Sequence, residues 1–259
     1  MVNIKERAHP RTNGDLTMNA PQDPPPAPDI TANVPAPGDS APASVIAFLF
    51  ADRFVPLERQ GVMGTEALAS GKAVVSSTLV TTVAAIALWN LQEGGAVELE
   101  VAHERKLGLM PWTTARIRLR DQSFPGQGLE GMLLAALERE KKGRNPGVRV
   151  ETVIKKALGS SVNPTNQWIN YLVRIATESH YITLRTVEGE PSRVLHKTTT
   201  RTVAEPNTPA MHGLEAGASD LAERWKGFVA SEPELHNRLL KETASGIRLA
   251  KISDTNADD

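Results

Sequence analysis

The stretch from Ala73 to Gln92 constrains the fold most, because it runs for twenty residues without a charged side chain. That length matches a membrane-spanning helix, which needs about 20 mostly apolar residues. Seven of the residues are polar, and this density disfavours insertion into a bilayer. They are Ser76, Ser77, Thr78, Thr81, Thr82, Asn90 and Gln92. We therefore interpret the stretch as a buried core helix, with a membrane-spanning helix as the alternative.

The periodicity within this stretch predicts a helix over 78–91, because Leu79, Val83 and Ile86 recur at helical spacing. Ser77 is a suitable cap for its start, and the glycine pair 94–95 can supply the left-handed residue that ends many helices. Two runs then alternate between apolar and polar residues, over 97–102 and 116–120, which is typical of half-buried strands. The sequence therefore predicts a helix followed directly by a hairpin.

The same order recurs later in the chain. Asn163 and Pro164 form a strong helix start, and strands are predicted at 181–187 and 193–203. The remaining helices are expected at 57–68, at 129–137, at 150–158, around Leu221–Phe228, and after a capping box of Ser231 and Glu234. The predicted fold class is mainly α: a helical domain with two helix-plus-β-hairpin units, at 77–120 and 164–203, that resemble winged helices.

Composition sets the predicted domain boundaries. Residues 1–43 are rich in proline and poor in large apolar side chains, so we predict a disordered tail there. A single mainly helical domain is expected over 44–252, followed by a disordered acidic tail over 253–259. The chain has no cysteine, which excludes disulfides and thiolate sites and favours a cytoplasmic location, with membrane association as an addition.

Charge is distributed unevenly along the chain, although the formal net charge is only −1. Between Val101 and Arg201 there are 17 Lys and Arg against 9 Asp and Glu, whereas the remainder has 12 against 21. A basic central segment between acidic flanks favours an anionic partner.

The arginines at alternate positions of the second strand would lie on one strand face, where guanidinium forks match phosphate oxygens. With Arg149, they are the predicted anionic headgroup-binding residues: Arg116, Arg118, Arg120 and Arg149. Trp112 follows Pro111 in the predicted loop between the strands, beside Leu107 and Leu109, and is the predicted membrane anchor. A solvated strand face, and a tryptophan packed on its own domain, are the alternatives.

Several segments resemble the Golgi phosphoprotein 3 family of peripheral membrane proteins. An apolar helix with small residues, 83–88, runs into the glycine pair and the strand that starts at Ala96. That family continues with a leucine-rich helix, a second helix, and a third helix that leads to a hairpin. The same order is found here at 129–137, at 150–158, and at 167–179 followed by 181–187. The likeness covers about residues 45–250 and implies a non-enzymatic module that binds a phosphatidylinositol phosphate headgroup and adapts other proteins to a membrane.

That family's headgroup site uses a tryptophan and arginines, but the helix at 78–91 has no arginine and Trp89 lies inside its apolar run. The lipid contacts are therefore not transferred from the family to positions in this chain.

Catalytic and metal motifs are absent from the sequence. The six histidines show no metal-ligand spacing, and no nucleophile elbow or phosphate loop is present. We expect no catalytic residues, no metal and no cofactor.

The leading hypothesis is a non-enzymatic peripheral membrane adaptor that binds anionic lipid headgroups and, through other surfaces, a protein partner. The alternative is a winged-helix DNA-binding transcriptional regulator. In that case helix 164–179 enters the major groove, where Asn166, Gln167 and Asn170 can contact bases. Phosphates would be held by the cations of the return strand, which are Arg193, Lys197 and Arg201. The sequence sets no oligomeric state.

Overall fold

A computed structural model describes residues 41–57, 65–106, 110–120, 124, 126–140, 147–188 and 200–251. Seven α-helices lie within these ranges, so the predicted mainly α class is confirmed for the described chain. The helices are α1 (Ala43–Leu49), α2 (Ser76–Glu93), α3 (Gly128–Glu140), α4 (Val150–Leu158), α5 (Pro164–Glu178), α6 (Thr208–Ser231) and α7 (Pro233–Leu249). The strands are β1 (Thr65–Glu66), β2 (Ala73–Val74), β3 (Val97–Lys106), β4 (Met110–Leu119), β5 (Val148–Arg149), β6 (Ile182–Glu188) and β7 (Thr200–Pro206).

Helix α2 lies at the centre of the core. Eleven of its residues are buried, and the unbroken buried run from Thr82 to Trp89 covers every side of the helix. Trp89 packs edge-on against Trp225 of α6 at 5.5 Å between ring centroids and stacks with Phe228 at 5.8 Å. No helix in the described part of the chain is long and apolar enough to cross a membrane. The interpretation of this stretch as a core helix is thus confirmed from Ser76 onwards, whereas Ala73 and Val74 form β2.

Helix α1 is held in the core by a pair of reciprocal caps. The Glu130 carboxylate accepts hydrogen bonds from the Ser44 backbone N–H at 2.9 Å and from the Ser44 hydroxyl at 2.5 Å. The Ser44 oxygen in turn accepts the Leu129 N–H at 3.3 Å. The first turns of α1 and α3 therefore satisfy one another, as buried helix starts must. Burial raises the pKa of the Glu130 carboxyl.

Three two- or three-stranded antiparallel sheets surround the helices: β1–β2, β3–β4–β5 and β6–β7. Helix α2 leads into the β3–β4 hairpin and α5 into β6–β7, so the predicted order of helix followed by hairpin is confirmed twice. Between α4 and α5, Gly159 has a φ of +66° and ends α4 where predicted. The Asn163 side chain accepts the Asn166 N–H at 3.1 Å and caps α5 as predicted.

Four predictions about helix bounds, helix caps and the start of the ordered chain are wrong at described residues. Ser77 lies inside α2, which starts after Val75 without a side-chain cap. The Ser231 hydroxyl donates to the Phe228 carbonyl of α6 and does not cap α7. The helix expected at 57–68 is replaced at its C-terminal end by β1, and its residues 58–64 lie outside the described ranges.

The fourth concerns the start of the ordered chain. The predicted tail of residues 1–43 reaches too far, because Ala41 and Ala43 are already buried in the core.

Candidate anionic-surface site

The β3–β4–β5 sheet has an apolar side and a charged side because its strands alternate with a period of two. One set of side chains is buried against the helices: Val97, Leu99, Ala115 and Ile117. The side chains between them point away from the core. In the observed register, Glu104 lies opposite Trp112, Glu100 opposite Arg116 and Glu98 opposite Arg118. We call this charged side the outer face.

The structure brings the five residues predicted for the site onto the outer face. Arg116, Arg118 and Arg120 are two residues apart along the chain, and Trp112 lies four residues before Arg116 on the same side of β4. Arg149 of β5 pairs directly opposite Arg116, so its side chain shares that side of the sheet. Trp112 lies inside β4 and not in the loop predicted for it, because the strand already begins at Met110, and it is 41% exposed near the end of the hairpin. Its predicted neighbours Leu107 and Leu109 lie outside the described residues.

A row of carboxylates on β3 interleaves with the arginines, and this is the main feature that sequence patterns did not reveal. Glu104 contacts two of the arginines, Arg116 and Arg149, at 2.8 Å each. Arg118 lies 3.6 Å from Glu100, and Arg120 lies 3.7 Å from Glu98. The arginines of the outer face therefore do not form an unbalanced positive patch.

Glu104 organises the half of the outer face nearest the hairpin turn, where it lies opposite Trp112. Besides the two arginines, the Thr114 hydroxyl donates to it at 3.1 Å. Hydrogen bonds from Arg149 and then Arg116 hold the pKa of the Glu104 carboxyl at about 2. The same contact raises the pKa of Arg149, which also lies 3.6 Å from Glu151. Arg116 and Arg149 thus stabilise the sheet through Glu104. A ligand phosphate would have to compete with the Glu104 carboxylate for these two guanidinium groups.

The other end of the outer face is looser. The side chains of Arg118 and Arg120 are 46% and 55% exposed, and their carboxylate partners are about as exposed. Exposed ion pairs at such distances contribute about 0–1 kcal/mol and are screened by salt. The pairs with Glu100 and Glu98 are therefore weaker than the pairs that Glu104 makes with Arg116 and Arg149.

The residues of the alternative site lie on α5 and on the β6–β7 hairpin. Asn166, Asn170 and Arg174 are exposed on one side of α5. Arg174 lies 3.9 Å from Glu178, and Arg185 of β6 lies 3.4 Å from Glu205 of β7. Gln167 is engaged with the Leu158 carbonyl at 3.1 Å. The predicted phosphate contacts Arg193 and Lys197 lie outside the described residues, as does the side chain of Arg201.

The interleaved carboxylates had a signal in the sequence. Glu98 and Glu100 alternate with the apolar residues of β3 just as the arginines do in β4. That alternation predicts the face of the sheet on which each row of side chains lies. Which glutamate lies beside which arginine depends on the register of the hairpin, and a one-residue shift would change every pair.

Within the described ranges, no group of three or more His, Asp or Glu side chains is arranged to hold a metal ion. Comparison with protein-family models, with curated proteins and with solved structures finds no match for this chain. The function is therefore inferred from the chain's own residues.

Proposed function

We propose that this protein is a non-enzymatic peripheral membrane protein that binds anionic lipid headgroups. Its contacts are Trp112, near the end of the β3–β4 hairpin, and Arg118 and Arg120, on the looser half of the outer face. The observation that carries the proposal is the exposed Trp112 on the same side of the hairpin as Arg118 and Arg120. A tryptophan ring is favoured at the boundary between lipid and water, and guanidinium groups pair with phosphates.

The sequence around the hairpin end supports this role. Arg105 and Lys106 are followed by Leu107 and Leu109, which combines basic and apolar side chains as interfacial segments do. The family resemblance implies that the headgroup is a phosphatidylinositol phosphate and that the chain also binds a protein partner.

The carboxylates of the outer face set the expected strength of binding. Glu98 and Glu100 reduce the local positive charge, so we expect weak, salt-dependent binding that relies on insertion of Trp112.

Liposome flotation tests the proposal. The full chain is mixed with phosphatidylcholine vesicles, alone or with phosphatidylserine or a phosphatidylinositol phosphate added. We expect flotation only with anionic lipid, and about a tenfold loss for Trp112→Ala and for the double variant Arg118→Ala/Arg120→Ala. The matched control is Arg174→Ala/Arg185→Ala, which removes two other half-exposed arginines that are also paired with glutamates. Equal flotation of both double variants would contradict the proposal.

A second candidate function is DNA binding by a winged helix. The order α3–β5–α4–α5–β6–β7 favours it, because a winged helix has the same sequence of helices and strands. In this reading α5 is the recognition helix, Asn166, Asn170 and Arg174 meet the bases, and β6–β7 is the wing. One feature departs from that arrangement: β5 pairs with β4 and not with the wing strands.

A gel shift on random duplex DNA with the same two double variants separates the candidates. DNA binding through α5 predicts a salt-dependent shift that Arg174→Ala/Arg185→Ala weakens and Arg118→Ala/Arg120→Ala leaves unchanged. The absence of both flotation and a gel shift would exclude both functions.

A further inference from the structure

A cavity of about 310 Å³ lies between the N-terminal part of the described chain and helices α2, α3 and α6. One wall is apolar and is formed by Ile46, Phe124 and Leu221. The polar part of the lining, which we call the polar wall, includes Asn90, Glu130, Asp220 and Arg224. Its size lies within the range of small-molecule pockets, and an apolar pocket with a few converging polar groups is typical of a binding site. The cavity shares no residue with the outer face.

The polar wall presents a positive and a negative group side by side. Arg224 Nε donates to the Asp220 carboxylate at 2.9 Å, and the guanidinium carbon lies 5.7 Å from the centre of the Trp89 ring. Within the described residues, Nε is the only guanidinium nitrogen of Arg224 engaged in a hydrogen bond. The Nη nitrogens are thus available to a ligand, although Asp220 and Arg224 remain half-exposed.

The cavity is kept open by a glycine in the middle of a helix. Gly217 of α6 lines the cavity, and a Cβ added there would meet only the Ile46 side chain, at an ordinary 3.9 Å. Glycine within a helix costs roughly 0.5–1 kcal/mol relative to alanine. A larger residue at 217 would therefore suit the helix better but would extend into the cavity.

We propose that this cavity binds a small zwitterion with an apolar side chain, of the α-amino acid class. The ligand carboxylate pairs with the Arg224 Nη nitrogens, the ammonium group pairs with Asp220, and the side chain packs on Phe124, Ile46 and Leu221. A ligand with a single charge would be attracted by one of these two groups and repelled by the other. The Gln127 amide can both donate and accept hydrogen bonds, so it suits a ligand that carries both kinds of group, whereas the Asn90 side chain is hydrogen-bonded to the Glu130 carboxyl.

Isothermal titration of the full chain with L-phenylalanine and L-leucine tests the inference. The analogues 3-phenylpropionate and phenethylamine each lack one of the two charges. We expect saturable binding of the amino acids and at least about a tenfold weaker affinity for both analogues, since each leaves one charge of the polar wall unpaired. Arg224→Ala should weaken binding of the amino acids by a similar factor.

A second variant distinguishes loss of binding caused by a filled cavity from loss of binding caused by unfolding. Gly217→Leu fills the cavity and should abolish binding while retaining or raising the melting temperature. Gly213→Leu is the matched control, because it lies one turn earlier on α6 and a Cβ there meets nothing within 4 Å. It should bind as the original chain does. Unchanged binding in Gly217→Leu, equal affinity for the single-charge analogues, or no binding of either amino acid would overturn the inference.

Discussion

Glu104 is the residue on which the outer face depends. Its two oxygens join Arg116 of β4 to Arg149 of β5, so one carboxylate ties together neighbouring strands. The side chain is only 24% exposed, which makes these pairs stronger than those of Arg118 and Arg120 at the surface. Arg149 belongs to a two-residue strand, so this ionic contact supplements a short ladder of backbone hydrogen bonds.

We expect Glu104→Gln to remove a part of the stability that depends on pH. The folded-state pKa of about 2 lies below the ordinary value of 4.5. The stabilisation is therefore complete above about pH 5 and is lost as pH falls towards 2. The variant should lose about 1–2 kcal/mol at neutral pH and almost nothing near pH 2, because solvent screens part of the interaction.

Urea unfolding at neutral and acidic pH measures this difference. Glu98→Gln is the control, because its partner Arg120 is 3.7 Å away and half-exposed. It should cost less than about 1 kcal/mol. If Glu104→Gln lowers the free energy of unfolding as much in acid as at neutral pH, the proposed role of the charged Glu104 carboxylate is wrong.

Glu130 has a different role, since its fully buried carboxylate caps the start of α1. Glu130→Ala leaves the Ser44 N–H and hydroxyl without their acceptor and opens a hole, so we expect a loss of about 3 kcal/mol. Glu138→Ala, at an exposed position of the same helix, should stay within about 0.5 kcal/mol. Similar losses for both variants in urea unfolding would show that the capping contact is unimportant.

Helices α4 and α7 pack against each other more extensively than any other pair of helices in the described structure. At Gly246 of α7, an added Cβ would lie 2.6 Å from both the Glu151 carbonyl oxygen and the Ile154 Cβ. The former is a backbone atom, which cannot move away without displacing α4. The absence of a side chain at 246 therefore sets the distance between the two helices.

Gly246→Ala should destabilise the protein by about 2 kcal/mol or more, because the extra methyl group forces the helices apart. The matched change Gly227→Ala in α6 meets nothing within 4 Å and should stabilise by up to about 1 kcal/mol through helix propensity. Thermal unfolding of the two variants, followed by circular dichroism, should show shifts of opposite sign. An unchanged melting temperature in Gly246→Ala would mean that α4 and α7 can move apart without loss of stability.

The molecule as a whole is organised around α2, with α1 as an inner partner. All seven residues of α1 are buried, although the helix is short and has no polar face. Such a segment gains its stability from tertiary packing, since an isolated helix of this length would not persist in water. The described core begins at Ala41, which is itself buried.

Removal of residues 1–40 should therefore shift the melting temperature by less than about 2 °C, because no described core residue is lost. Removal of residues 1–49 also deletes α1, and we expect loss of cooperative unfolding, since α2, α3 and α5 would lose the helix packed between them. Calorimetry of the two truncated chains measures this. A cooperative transition in the shorter chain would contradict the central place of α1.

Local patterns predicted elements well where one period dominates. The bounds of α4, the Asn163 cap of α5 and the burial of Trp89, Trp168 and Trp225 follow from spacing and side-chain chemistry alone. Caps based on a single hydroxyl failed, as at Ser231, because this residue ends α6 and Glu232 takes the capping position of α7. Short segments such as β1 also failed, because two residues are too few to show a period.

The order of the helices and hairpins, and the face on which each arginine lies, were set by local sequence. These properties depend on repeats of two or 3.6 residues, which a short window contains. The neutralising carboxylates and the cavity were decided only by tertiary structure. Arg149 meets Glu104 from 45 positions away, and Asn90 lines the same cavity as Arg224. No local pattern encodes such contacts, because they arise when distant elements pack and the register between strands is chosen.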